Sequence, residues 1–385
     1  MLGKALTGGK KYWMWIILLG AVILAGFASY LLQLKFGLGI TGMGRNVSWG
    51  LYISNFTFFV GVAAAAVIVV LPYYLHNYKE FGKITVFGEF LAVSAVIMTI
   101  LFIFVDLGQP ARVLNIIRYP SPKSILFWDM IVLNIYLLLN LTIGWQTLNA
   151  ERKSEPQPAW IKPLVILSIP WAISIHTVTA FIYSGLSARP FWLTTILAPR
   201  FLASAFASGP AILILLCFIV KKLTRFDAGR EVTRKIAQII AYAMVINIFL
   251  SLVEIFTVFY SNIPEHSLYV RLLLFGINGH LLLSPWMWAS VALGWVSAIL
   301  LVNPQTRKND TILVAACIAV IISIWIEKGL GLVVSGFIPS PLGEITRYIP
   351  TTHEIAITAG IYGIGILVLT VLIKIAIAVK KEADS

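Results

Sequence analysis

The sequence predicts an all-α polytopic membrane protein with about ten transmembrane helices, and three observations carry that prediction. Of its 385 residues 59% are apolar and only 12% are charged, where a soluble domain carries about a quarter charged residues. Mean hydropathy is +0.91. The apolar residues gather into ten runs of membrane-spanning length. This much apolar surface does not fit inside one water-soluble core, so a soluble enzyme, a disordered chain and a collagen-like chain are excluded. The net charge of +13 comes from Lys and Arg set between the runs. It therefore reads as membrane topology and not as a nucleic-acid surface. Cys217 and Cys317 both fall inside apolar runs, with no CxxC or Cys/His spacing. No disulfide framework, iron–sulfur cluster or bound metal is expected in this chain.

About 20 mostly apolar residues span a bilayer, and the runs meeting that rule follow in order. They are residues 12–34, 51–75, 84–105, 125–145, 161–183, 201–220, 236–260, 272–302, 312–334 and 355–379. The first is too long for the apolar core of a signal peptide and ends without a small-residue cleavage pattern. The eighth is over-long and holds Asn278, His280 and Pro285, so its first part is expected to be re-entrant or to lie at the outer surface. Between runs, residues 149–160 and 221–235 are hydrophilic linkers. Residues 37–49, 106–123, 184–199 and 339–352 hold Gly, Pro and aromatics instead, and read as loops packed against something. Alternating crossings put 19 of the 29 Lys and Arg on the side of the termini. Positive charge marks the cytoplasm, so both termini are expected there. The basic stretch 221–235 also suits anionic lipid.

Ionisable residues inside a bilayer are costly and point to function. At about 1.5 Å per residue, most of them gather in the outer half. Asn55, Asp129 and Tyr136 enter from outside, and Asp106 closes the third helix. His176 lies roughly two turns below the outer end of the fifth helix. Glu254 and Glu327 occupy the outer halves of the seventh and ninth, while His353 and Glu354 open the tenth. Glu89, about one turn in from the cytoplasm, is the exception. Structural readings stand beside these. Asp129 and Glu354 also fit as first-turn acids favoured by the helix dipole. Glu327 precedes Lys328 and could pair with it locally; Asp106 could pair with Arg112. His176 could be a satisfied interior histidine, and Glu254 could serve structure alone.

Together, acids, a histidine and a tyrosine at similar depth suit proton-coupled chemistry on a lipid-soluble substrate. A quinone fits: it needs partners for two oxygens, an apolar slot for its ring, and proton donors or acceptors nearby. Haem would need two axial histidines facing each other. Of His76, His176, His266, His280 and His353, no pair shares a helix at haem spacing, so no haem is expected. A secondary transporter is the rival reading, supported by ten helices and buried acids. Against it, the polar residues gather towards one side, with no inverted repeat.

A set of motifs then gives a resemblance. In order they are Trp49-Gly50 leading to Asn55, Asp106-Leu107-Gly108-Gln109-Pro110, Trp128-Asp129 leading to Tyr136, and His176 through Phe181. Arg189-Pro190-Phe191-Trp192, Pro199-Arg200-Phe201, Gly209-Pro210, Glu254, Ile326 through Gly329, and Pro350 through Glu354 complete it. The chain resembles the NrfD/PsrC family of integral membrane subunits of polysulfide-reductase-type complexes. The likeness is closest to the ten-helix branch that includes the membrane subunit of the sulfite-reduction-associated Dsr complex.

That resemblance implies two four-helix bundles, residues 46–183 and 200–335, with peripheral helices at 12–34 and 353–379. It implies a menaquinone or similar quinone site in the outer half of the first bundle. By matching position, Asn55, Asp129, Tyr136 and His176 would be its quinone-site candidates, and Glu254 and Glu327 would belong to the second bundle's polar core. From the residues themselves, Asp129 and His176 are expected to exchange protons, Asp106 and Arg189 to join Asn55 and Tyr136 around the quinone, and Glu254, Glu327 and Glu89 to be proton-path candidates. The resemblance further implies a prokaryotic inner membrane, an extracytoplasmic ferredoxin-like iron–sulfur subunit, and cytochrome subunits. The segment Gly61 to Ala66 lacks the histidine that some relatives carry after the asparagine.

The charge bias generates a direct test. Single cysteines placed in residues 106–123 or 184–199 should react with a membrane-impermeant maleimide in intact cells. Cysteines placed in residues 221–235 should stay unlabelled until the membrane is opened.

Overall fold

The computed structural model describes residues 2–75, 78–224, 226–276, 281, 283–340 and 342–383. Among these, ten helices are long and apolar enough to cross a membrane: α1 (Lys10–Phe36), α2 (Leu51–Tyr74), α3 (Lys79–Asp106), α4 (Ile125–Lys153), α5 (Ile161–Ser184), α6 (Leu197–Thr224), α7 (Arg230–Ser261), α8 (Ser284–Val302), α9 (Asp310–Phe337) and α10 (Thr352–Glu382). No strand occurs among the described residues. A bilayer demands this, because backbone N–H and C=O groups find no water there and must pair within their own helix.

The eighth apolar run divides. A short helix, Pro264–Phe275, precedes α8, which starts only at Ser284. Gly276 at φ +72° ends the short helix in a conformation that favours glycine. Asn278 and His280 lie outside the described residues, as does His76.

Helices α2, α3, α4 and α5 pack in sequence, and α6 through α9 form a second group. The groups meet where α2 and α5 pack on α6, and where α2 packs on the last third of α9. Small residues allow the close approach. A Cβ on Gly209 of α6 would stand 2.9 Å from both Ala65 N and Val62 O of α2. At that level α2 breaks its helix at Ala63 and Ala64. Such small-residue seams drive helix association in membranes, where apolar burial gives no advantage over lipid.

The last helix, α10, lies against α3 and α4, and α1 packs on α10. Their crossing is Gly26 on Gly360, where a Cβ on Gly26 would come 2.7 Å from Gly360 Cα. The rest of α1 presents Ile17, Leu24, Phe27 and Leu31 outward, which suits a lipid-facing helix. The termini share one face, where Lys4 pairs with Glu382 and Lys380 with Glu151. The opposite face carries the Gly-, Pro- and aromatic-rich loops and is called the loop face below.

Glu354 gathers that face together. Its carboxylate accepts from Gly42 N at 2.6 Å, Thr351 N at 3.0 Å and the Tyr348 hydroxyl at 2.8 Å. Tyr348 in turn accepts from Leu51 N at 2.7 Å. One buried acid therefore ties the α1–α2 loop, the start of α2 and the start of α10. Burial beside this carboxylate pushes the Tyr348 phenol above its ordinary range.

Replacing Gly360 by Leu should separate α1 from α10 at their crossing and cost about 1–3 kcal/mol, as overpacking does. A melting temperature in detergent should fall by several degrees, with α1 becoming the first segment to be proteolysed.

Candidate functional site

Asp129 sits one turn into α4 and is 2% exposed. Its Oδ1 accepts from the Thr179 hydroxyl at 2.8 Å, and Thr179 belongs to α5. His176 lies three residues earlier on α5, hence on the same face. It is fully buried, and neither ring nitrogen has a hydrogen-bond partner among the described residues. Buried polar groups are normally paired, so an imidazole with both nitrogens open calls for a partner from outside the chain or for proton exchange. Two helices thus bring a carboxylate and an imidazole to similar depth, with Thr179, one turn from His176 on α5, holding the carboxylate.

Above this pair, towards the loop face, the aromatic rings of Trp49, Tyr183, Trp192 and Phe337 form a closed cluster. Trp49 stacks on Trp192 at 5.7 Å, and Trp192 donates to Leu332 O at 2.8 Å. Tyr183 and Thr57 share a short hydrogen bond. Arg189 stands over the Phe337 ring at 4.5 Å, so it reinforces this seal and is not at Asp129.

Below the pair, polar groups continue along one face of α4. Tyr136 donates to Ala63 O at 3.1 Å, at the break in α2. Asn140 donates to Tyr136 O at 2.7 Å and keeps its own Oδ1 unpartnered among the described residues. Glu89 of α3 is 1% exposed, neither carboxylate oxygen has a partner among the described residues, and it lies beside Gly144 of α4. Thr147 follows, accepting from Gln157 at 2.8 Å, and Tyr74 also donates to Gln157.

Asn55 goes elsewhere. Its Oδ1 accepts from Trp325 at 3.0 Å and Tyr362 at 2.9 Å, and its Nδ2 donates to Leu51 O. It joins α2 to α9 and α10 and has no hydrogen bond to the α4–α5 pair. Beside it lies a cavity of about 310 Å³ lined by Phe58, Phe59, Met98, Trp325, Tyr362 and other apolar groups. Asp106 does not pair with Arg112. One of its oxygens is buried without a partner among the described residues, within electrostatic reach of Glu354 and Tyr52.

The second group of helices holds a different arrangement. Arg200, three residues into α6, pairs with Glu254 of α7 and, at 2.5 Å, with Glu327 of α9. Glu327 also accepts from Asn247 at 3.1 Å and Ser251 at 3.0 Å. These residues line a cavity of about 160 Å³ walled by Met244, Leu273, Met287 and Trp295. The local pair of Glu327 with its neighbour does not form. Lys328 is 5% exposed and donates to Phe201 O at 3.3 Å with its ammonium over the Phe201 ring. Sequence reasoning missed Lys328. The available signal was that consecutive side chains of a helix do not face each other, so a direct pair with Glu327 was not expected.

Removing Arg200 should leave two half-buried carboxylates without their cation. Breaking such an arrangement costs about 3–5 kcal/mol. Arg200→Gln should lower the melting temperature sharply. Adding Glu254→Gln should recover part of the loss, because Glu327 keeps Asn247 and Ser251. Thermal unfolding of the two variants in detergent checks this.

Comparison with known proteins matches the polysulphide reductase NrfD family model over residues 39–336. The chain is 25% identical over 92% of its length to a putative membrane subunit of dimethyl sulfoxide reductase from Halobacterium salinarum, covering 89% of that protein. It is 25% identical over 61% of its length to the Hdr-like menaquinol oxidoreductase integral membrane subunit of Archaeoglobus fulgidus, covering 58% of it. It is 23% identical over 94% of its length to the menaquinone reductase integral membrane subunit of Nitratidesulfovibrio vulgaris, covering 90% of it. The chain belongs to the NrfD polysulphide reductase family of integral membrane subunits.

Proposed function

We propose that this chain is the quinone-reactive membrane subunit of a multi-subunit oxidoreductase. It exchanges electrons between menaquinone or menaquinol and a ferredoxin-like iron–sulfur partner docked on the loop face, which faces away from the cytoplasm. Cytochrome subunits complete the complex in a prokaryotic inner membrane, and its chemistry belongs to sulfur or sulfite metabolism. Relatives named as subunits of a menaquinol oxidoreductase and of a menaquinone reductase support the quinone. The polysulphide reductase description of the family supports the sulfur assignment.

The observation that carries the reading is His176, buried with both nitrogens open among the described residues, one turn from the Thr179 that holds Asp129. A quinone supplies two-electron, two-proton chemistry when bound. The chain's own part is to position one quinone oxygen and to move protons. Asp129 Oδ2 and a ring nitrogen of His176 are the atoms assigned to that task. Thr179 fixes the Asp129 carboxylate, so its free oxygen has one orientation. The aromatic cluster of Trp49, Tyr183 and Trp192 keeps water from the loop face off the pair, which strengthens each electrostatic contact. Both residues are closed off in this structure, so quinone access requires movement of the side chains that cover them. Tyr136 and Asn140, then Glu89, supply the proton route towards the terminal face, and Asn55 and Asp106 hold the surrounding helices.

Asp129→Asn and His176→Ala should each slow quinol-linked turnover by about 10²-fold or more, as loss of a general acid or base does. Assembly with the partners should survive. The double variant should be little worse than either single one, because groups acting as a unit are non-additive. Quinol oxidation assayed in membranes measures all three. Wild-type rates in both single variants would remove the pair from the mechanism.

A further inference from the structure

The two ends of the molecule treat charge differently. Among the described residues, every ion pair outside the Arg200 cluster lies on the terminal face, where Lys4, Lys153, Lys221, Lys235 and Lys380 each hold an acid. On the loop face Arg45, Arg112, Arg118, Lys123 and Arg347 are exposed. Their charged groups have no hydrogen bond, ion pair or ring partner among the described residues. The exposed acids described there are Glu265 and Glu344, and Glu344 is taken up by Asn46 at 2.9 Å. Topology does not ask for these cations, because Lys and Arg are favoured on the cytoplasmic side. A face that the positive-inside rule would leave poor in cations carries a set of unpaired ones.

The loops that bear them adjoin one another. A Cβ on Gly108 would stand 3.5 Å from Leu38 Cδ1, which joins residues 107–123 to the α1–α2 loop. Asn46 donates to Glu344 and, at 3.0 Å, to Thr346, so Arg45 and Arg347 flank a single junction. Residues 107–123 contain two short helical turns, Pro110–Arg112 and Asn115–Arg118. Even so, Leu114 is 49%, Ile117 63% and Tyr119 75% exposed. The sequence reads this segment as packed against something, and no part of the described chain covers these side chains. Exposed apolar groups rimmed by charge mark an interaction site. The cations lie just before α2 and just after α3, the two most enclosed of the ten helices. They therefore stand above the interior of the helix groups, off the membrane, and not beside lipid headgroups. Ile125, the first residue of α4, lies four residues or about 6 Å along the axis from Asp129.

We propose that this face docks the iron–sulfur subunit through an acidic surface of that partner. Its carboxylates meet Arg45, Arg112, Arg118, Lys123 and Arg347, and an apolar recess between them receives Leu114, Ile117 and Tyr119. The opposite charges steer the encounter and fix its register, and the apolar side chains form the dry centre of the contact. A partner seated on residues 107–123 stands over the start of α4, above Asp129. The proposal rests on the reading that an iron–sulfur partner docks on the loop face, and it adds which residues take it and what chemistry they select.

The test uses the complex extracted from its own membranes in mild detergent and treated with a zero-length carbodiimide, which joins a lysine amine to a carboxylate. Peptide mapping should find Lys123 linked to Asp or Glu of the iron–sulfur subunit. Arg118→Lys, which keeps the charge, should add a second link beside the first. Both links should be suppressed at about 1 M salt, where the screening length is about 3 Å. Combining Arg112→Glu, Arg118→Glu and Lys123→Glu should weaken retention of the subunit at least about tenfold at low salt, since like charges then face each other. If that triple variant fails to accumulate, the links in wild type and Arg118→Lys decide alone. A complex that holds its iron–sulfur subunit but shows no link at Lys123 or at Arg118→Lys would overturn the proposal. So would links confined to a different subunit, or undiminished retention in the triple variant. Loss of co-purifying anionic lipid from the triple variant, with the subunit retained, would make this face a lipid surface and overturn it too. A wild-type complex with no iron–sulfur subunit would instead sink the partner reading itself, and this docking surface with it.

Discussion

Within a bilayer no polar group can borrow a partner from water, and this constraint organises the whole molecule. Arg200 shows its force: a guanidinium inside the apolar slab is held by two carboxylates from two other helices, and one of those is further held by Asn247 and Ser251. This arrangement fixes α6, α7 and α9 to one another. Glu354 does the same at the loop face, where a single carboxylate collects three donors from two loops and, through Tyr348, the start of α2. Against such completeness the unsatisfied groups stand out. His176, Glu89 and the Oδ1 atoms of Asp106 and Asn140 are buried without partners among the described residues.

The two helix groups have different characters. The first holds neutral and acidic polar groups strung along α4, from Asp129 through Tyr136 to Asn140, with Glu89 of α3 beside them. The second holds a salted cluster around a lateral cavity. The seam between them is narrow because α2 offers Gly61 and Ala63 to Ala66 while α6 offers Gly209. Only one charged side chain among the described residues is buried in that seam, and it is Lys328. A cation in such a place is costly to desolvate, and a purely apolar residue would pack there without that penalty.

Much of this was legible in the sequence, for physical reasons. The ten helices follow from run length, and the depths of Asp129 and His176 follow from counting residues inwards from the run ends. Their appearance on adjacent helices needed no long-range information. The Arg200 cluster was not legible, because its members are 54 and 127 residues apart and no periodicity links them. Asn55 has a depth that suits a ligand, but its partners Trp325 and Tyr362 lie 270 and 307 residues away. Glu327 and Lys328 invited a local pairing that helix geometry forbids. Loop-face acids such as Glu354 looked like helix-dipole residues, since their partners are backbone amides that a sequence does not display.

The central claim is that quinone reacts in the first helix group, beside Asp129 and His176. Photoaffinity labelling of the complex with an azido-menaquinone, followed by peptide mapping, tests it most directly. The account predicts adducts on α4 between Asp129 and Tyr136 and on α5 between His176 and Tyr183, competed away by unlabelled menaquinone. Competable labelling confined to α7 and α8, around the cavity of Glu254 and Trp295, would contradict it.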